Sequence, residues 1–364
     1  MSFNTQEVAF LRVNGVDYYD WTSIMVEVRL TDYFPIFEFE CTEFVAVNGQ
    51  SKSSGISIGT IRNNLKIVPG DIVELYLGGT QVVLGYVTER HVAFDANNHG
   101  VRIVGVGKTA DLVSSSVWSQ GGSYDNQSWS QLARALIAPH GIKLVERGAL
   151  DRTPYEHIHV QPGEIIASAL ERYARQRNIV IGSTHDGNLL GIGDHAAVQS
   201  GMLVEGVNIL SASAVIKDDN VYKRIYAFGQ RSGNDNVWGD RASKLVGYTT
   251  GSSRRERTRV VPMEVSDDQH GAQQLAEMEK VFTEGGSLEE RITVQGWFRE
   301  GANIWRAGEY YWVRSEMLIT DMLLGCKSIV YEQSTYGGTK TTLSMVDPFH
   351  MKGRPDFSGT TPKE

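Results

Sequence analysis

Cysteine is nearly absent: two residues, Cys41 and Cys326, in 364. They stand far apart, so a disulfide framework or a Cys-x-x-Cys metal or redox motif is excluded, and two buried reduced thiols are expected. No run of about 18 apolar residues occurs, so no membrane-spanning helix is read. The opening stretch "MSFNTQEVAFLRVNG" has no basic segment followed by an apolar one, so no secretory signal is read either. A basic excess is lacking too. The formal charge is −8, which argues against a dedicated nucleic-acid binder.

What is present is glycine, 38 residues against nine prolines, as in β-rich chains that reverse direction often. With 41% hydrophobic and 21% charged residues the composition is that of a globular protein. The length asks for two to four domains. The first hundred residues alternate. "VAFLRVNGVDYYDW" reads as two strands about an Asn14-Gly15 turn, and Phe37, Phe39 and Cys41 alternate with Glu38 and Glu40. "DIVELYLGGTQVVLGYVTERHVAF" turns at Gly78-Gly79, and a further turn is placed at Asn97-Asn98-His99-Gly100. Short strands spaced in this way suggest an antiparallel barrel or sandwich.

The period changes near residue 114. Trp129, Leu132, Ala133, Leu136 and Ile137 follow helical spacing, with Ser128 and Gln131 as a capping box and Pro139 and Gly141 as the stop. A second helix is expected from Pro162, with Ile166, Ala169, Leu170 and Tyr173 on one side. A hairpin about Asp186-Gly187 follows. Strands return at 203–231, including "NVYKRIYAFGQ". A third helix is expected over about 267–283, capped by Ser266 and Gln269 and stopped by Gly285-Gly286. Strands then run to 346, and the breaker-rich "GRPDFSGTTPKE" reads as a flexible tail.

The layout repeats. Gly70 precedes an acid and a strand, as Gly308 does, and Gly100 and Gly338 lie at the same later offset, which suggests two related β-modules, the second interrupted by an insertion. The domains expected are 1–113, a first β-module; 114–200, a small α/β unit; 201–236 with 291–350, a second β-module; 237–290, an inserted unit with one helix; and 351–364, the tail.

Candidate chemistry fails on spacing. Gly107-Lys108-Thr109 ends an apolar strand as a nucleotide-binding loop would, but that loop's first glycine would fall at Arg102, and no good helix follows. His157 and His159 share one strand face, and His185-Asp186 and Asp194-His195 lie in or beside a hairpin, yet nothing shows three or four ligands converging. Arg254, Arg255, Arg257 and Arg259 form the densest basic run; without interleaved aromatics it reads as a solvated or subunit-contacting face. Trp297 and Trp305, among glycines and strands, read as core and turn anchors rather than ligand stackers. No catalytic, cofactor-binding or metal residue is assigned.

Three blocks then carry a resemblance. They are "PGDIVELYLGGTQVVLGYVTERHVAFDANNHGVRIVGVGKTADLVSSSV", "QPGEIIASALERYARQRNIVIGSTHDGNLLGI" and "VQGWFREGANIWRAGEYYWVRSEMLITDMLLGCKSIVYEQSTYGGTKTTLSMVDP". In this order the chain resembles the central baseplate hub proteins of contractile-tailed, Mu-like bacteriophages, a family related to the late-control hubs and to the N-terminal part of type VI secretion spike proteins. The resemblance implies a mainly β fold with α/β parts: two antiparallel β-barrels, a small α/β domain and a helix-containing inserted domain. It also implies a non-enzymatic structural role in the virion tail baseplate. Three copies would form a ring with pseudo-sixfold symmetry, joining tail tube to central spike and enclosing the channel for genome ejection. The partners implied are further copies of the chain, the tail tube or adjacent tail protein, the spike, and tape-measure and wedge proteins, with DNA in transit only. The chain would be made in the host bacterial cytoplasm and insert into no membrane. With no β-helical region after residue 350, a separate hub is expected rather than a fused spike. The alternatives are a tail-associated cell-wall hydrolase, a sugar-binding protein, or the hub of a tailocin or type VI-like machine.

Overall fold

The computed structural model describes residues 7–19, 21–44, 66–95, 98–118, 123–161, 163–231, 239, 244–265, 267–299 and 303–354. The first module holds β1 (Ala9–Val13), β2 (Val16–Tyr18), β3 (Ser23–Arg29), β4 (Ile36–Phe44), β5 (Ile72–Leu77), β6 (Thr80–Phe94) and β7 (Asn98–Gly107). Asn14 and Gly15, at φ 50° and 80°, take the left-handed conformation that a two-residue hairpin turn demands, and β1 pairs with β2 around them. Phe37, Phe39 and Cys41 are wholly buried, as the alternation predicts. Gly100 is not at a hairpin tip. It lies inside β7, opposite Thr42 on one side and Ala93 on the other.

The next segment contributes β8 (Ser123–Gln127), β9 (Leu144–Arg147), β10 (Tyr155–His159), β11 (Val180–Ser183) and β12 (Leu189–Ile192). A helix, Trp129–Ile137, has the expected cap: the Ser128 N–H donates to Gln131 Oε1 at 2.8 Å. Its apolar face packs with that of a second helix, Ile166–Arg175, around Trp129, Leu132, Leu170 and Tyr173. The second helix starts later than expected, because Gly163 is left-handed and Ile165 extended; Pro162 lies outside the described residues. The Asp186-Gly187 turn joins β11 to β12 as predicted.

Two short strands and a longer one follow: β13 (His195–Ala196), β14 (Gln199–Val204) and β15 (Ile209–Ile216). Then come β16 (Arg224–Gly229), β17 (Leu245–Thr250) and β18 (Thr258–Pro262), which among the described strands pair only with one another. Thus "RIYAFG", expected in the second β-module, belongs to a small sheet packed on the helix Gln269–Gly285 through Ala227, Leu275 and Ala276. Asp268 caps that helix, accepting from the Gly271 N–H at 3.1 Å; Ser266, the expected cap, lies outside the described residues. The chain then returns to the large sheet with β19 (Leu288–Gln295), β20 (Tyr310–Ser315), β21 (Thr320–Ser334) and β22 (Gly338–Val346). Last comes β23 (Gly353–Arg354), which runs parallel to β13. Met351 and Lys352 are buried, so residues 351–354 are no free tail; 355–364 lie outside the described residues.

The fold is mainly β; the two longer α-helices of the middle segment and that of the insertion are its main helical parts among the described residues. Its two β-modules repeat one antiparallel order, β3-β4-β7-β6-β5 and β15-β19-β22-β21-β20. Gly70 and Gly308, at φ 94° and 86°, occupy matching turns. The Gly70 N–H donates to Val87 O and the Val87 N–H to Asp71 O; the Gly308 N–H donates to Cys326 O and the Cys326 N–H to Glu309 O. Two separate closed barrels are not formed by the described strands. Instead β3 pairs antiparallel with β21 and fuses both modules into one 13-stranded sheet that does not close on itself. One hydrophobic core, including Phe37, Val26, Ile329, Tyr331 and Leu343, lies behind both halves.

Candidate functional site

The sequence-predicted groups do not meet in a reactive centre. Lys108–Ala110 forms one 3-10 turn, followed by a four-residue helix, Asp111–Ser114. Lys108 Nζ donates to Gly141 O at 2.8 Å, and the buried Thr109 hydroxyl donates to Tyr33 O. Both side chains fasten the exit of β7 to its neighbours. Neither the glycine-rich turn nor the long helix of a phosphate site is there.

The histidines are dispersed. His157 Nδ1 lies 2.8 Å from Asp125 Oδ1 across the β10–β8 ladder, and this exposed contact raises its pKa. The His159 N–H donates to Tyr173 Oη at 2.9 Å. Burial lowers His185, while Asp186 accepts from Thr184 and from Asn188 inside its own turn. His195 sits between Gly193 O at 2.9 Å and Tyr310 Oη at 2.8 Å, and Asp194 pairs with Arg354. Among the described residues no three His, Cys, Asp or Glu side chains are grouped to hold a metal.

The basic run folds back on acids of the insertion. Arg255 and Arg257 reach Asp218 at 3.5 and 3.8 Å, and Arg259 reaches Glu279 at 2.9 Å. Trp297 and Trp305 are 0% and 3% exposed in the core of the large sheet, which removes them as a sugar platform. Cys41 and Cys326 are buried thiols not joined in a disulfide, as expected, and desolvation raises the Cys326 pKa.

What the fold does present is a polar sheet face and two strand edges. Opposite the core, alternation turns Glu27, Glu38, Glu40, Glu89, Glu289 and Glu332 outward, with Arg29, Arg102, Arg291 and Lys340 among them and Lys327 at a bulge. Arg102 holds Glu38 by two bonds of 2.5 and 2.6 Å. The face is close to charge balance, with a slight acidic excess. Sequence reasoning missed the edges. On β6, Val92 and Phe94 are 50% and 80% exposed; on β15, Val215 and Ile216 are 49% and 78% exposed. The signal available was "ILSASAVI", a strand with apolar residues on both faces.

The fold is that of phage-tail proteins. The structure aligns with a 43 kDa tail protein of prophage MuSo2 from Shewanella oneidensis at a TM-score of 0.78, with 23% identity, over 96% of this chain and 100% of the other. It aligns with a type VI secretion component of E. coli at 0.55, with 10% identity, over 94% and 78%.

In sequence, residues 8–107 match the family model described as Mu phage baseplate assembly protein GpP-like, N-terminal. Residues 109–192 match the one described as baseplate hub protein gp44-like, second domain. Together the two models span just over half of the chain. The baseplate hub protein gp44 of Escherichia phage Mu is 23% identical over 354 residues, 92% of this chain and 86% of the relative. The chain belongs to the Mu-like baseplate hub family.

Proposed function

We propose that the chain is the structural hub of a contractile-tail baseplate, in which three copies form a ring joining the tail tube to the central spike. The observation that carries this reading is the repeated strand order. One chain holds two copies of the same five-strand module, so three chains supply six equivalent modules around one axis, the match a sixfold tube needs on a threefold spike. The polar sheet face then lines the channel. Its near balance of charge suits DNA that crosses without being held, since a strongly basic wall would bind the phosphates.

The domain division that best fits this role is 1–113, 114–200, 201–216 with 288–350, and an insertion of 217–287, moved from the boundary expected at 237 because β16 pairs within the insertion. In this reading the chain works without a catalytic centre, within the virion tail, touching tube, spike, tape-measure and wedge proteins. The type VI likeness favours a second setting for the same ring, a related injection machine. Immuno-electron microscopy of tailed particles tests the placement. Label is expected at the head-distal end of the tail; label along the sheath or at the head contradicts it.

A further inference from the structure

The internal repeat makes one contact inside the chain and leaves its counterpart unmade. Matching the bulges, Val87–Glu89 in β6 and Cys326–Ser328 in β21, aligns residues 90–94 with 329–333. Matching the ladders through β4 and β19 aligns 23–28 of β3 with 211–216 of β15. Within the chain, β3 pairs with the distal half of β21, Val26 opposite Tyr331 and Val28 opposite Ile329. The equivalent partners, β15 and the distal half of β6, do not pair. Among the described strands β15 pairs only with β19, and β6 beyond Val87 only with β7.

We propose that β15 of one copy adds antiparallel to the distal half of β6 of the next copy of this chain. The inference rests on the hub reading and supplies its subunit interface. The register follows from the intrachain pair: Lys217 opposite Glu89, Val215 opposite His91, Ala214 opposite Val92 and Ala212 opposite Phe94. Val26 and Tyr331, the pair equivalent to Ala214 and Val92, are 0% and 2% exposed, whereas Val92 and Phe94 stand at 50% and 80%. Pairing would cover these apolar groups and the edge backbone of both strands. It would also set the Lys217 ammonium against the Glu89 carboxylate. Because the two edges differ, the contact is head-to-tail, the kind that builds a ring when its rotation closes.

Mixed single variants test this. Directly opposed residues in an antiparallel pair have Cα atoms about 4.5–5.5 Å apart, within reach of a disulfide. Both positions are exposed, and Cys41 and Cys326 are buried. Under mild oxidation, His91→Cys mixed with Val215→Cys is expected to give covalent dimers that neither variant gives alone. The yield should exceed by at least tenfold that of Ala93→Cys with Val215→Cys. The double variant His91→Cys/Val215→Cys should give covalently closed rings. A trimer by light scattering whose His91–Val215 yield does not exceed the Ala93 control overturns the interface and leaves the hub reading standing. A monomer at tens of micromolar overturns both.

Discussion

Several contacts attach the insertion to the α/β unit, among them Gln176 Nε2 to Val265 O at 2.9 Å and His270 to Asp151 at 2.6 Å. The Arg177–Asp267 ion pair is the buried one, and its removal has a calculable cost. Arg177 is 0% exposed in its side chain and Asp267 6%, with Nη1 and Oδ2 2.5 Å apart. The guanidinium also donates to Thr153 O at 3.1 Å and Gln176 O at 3.2 Å, and lies 3.9 Å from the centre of the Tyr155 ring. Asp267→Ala leaves these neutral partners but strips the counter-charge from a cation that water does not reach. Breaking a buried pair on one side costs about 3–5 kcal/mol. At roughly 2–4 °C per kcal/mol for a unit of 150–250 residues, calorimetry should record a Tm loss of about 6–20 °C. Arg177→Met/Asp267→Leu, which buries no charge, should lose less than Asp267→Ala alone. Raising salt from 0.1 to 1 M should change the Asp267→Ala loss little, since buried pairs are weakly screened. A loss under about 1 kcal/mol for Asp267→Ala, well below that range, would refute the claim that this cation depends on its partner.

Three further outcomes follow from the same geometry. Burial, with Lys327 and Lys352 nearby, pushes His350 down to about 4, against an ordinary value near 6.5. The neutral imidazole therefore contributes stability that is complete above pH 6.5 and is lost as pH falls toward 4, by about 3 kcal/mol in all. The urea midpoint should fall less between pH 7 and 4.5 in His350→Gln than in the parent; an equal fall in both contradicts this. Trp297→Ala should cost about 3–5 kcal/mol, and oligosaccharides should leave tryptophan fluorescence unchanged, whereas saturable quenching would revive a sugar site. Lys108→Ala should cost about 1 kcal/mol through the lost bond to Gly141, with no heat of ATP binding in either protein; ATP binding abolished by that substitution would restore the phosphate-loop reading.

Local features were readable from the sequence because each rests on a few neighbouring residues. The Asn14-Gly15 hairpin, the Phe37/Phe39/Cys41 face, the Ser128–Gln131 cap and the matched turns at Gly70 and Gly308 are of this kind. Features set by distant partners were not readable. Nothing near Ser23–Arg29 announces that this strand pairs with 328–334, some 300 residues on. Nothing in "RIYAFG" distinguishes a strand of the large sheet from one of the insertion. Glu290 is a sharper case. Alternation puts it on the core face with Ile292 and Val294, at the place Phe37 fills in the first module. Burial raises its pKa, and it accepts from Thr320 Oγ1. The free edges also escaped notice, since exposure of Val92 or Ile216 depends on which strands come to lie beside them.

The central claim is a ring of three copies, and the mass of the purified chain in solution tests it most directly. Multi-angle light scattering at micromolar concentration should give three times the chain mass of 40.3 kDa, with closed rings in negative-stain images of the same fraction. A single species at 40.3 kDa without rings would contradict the account.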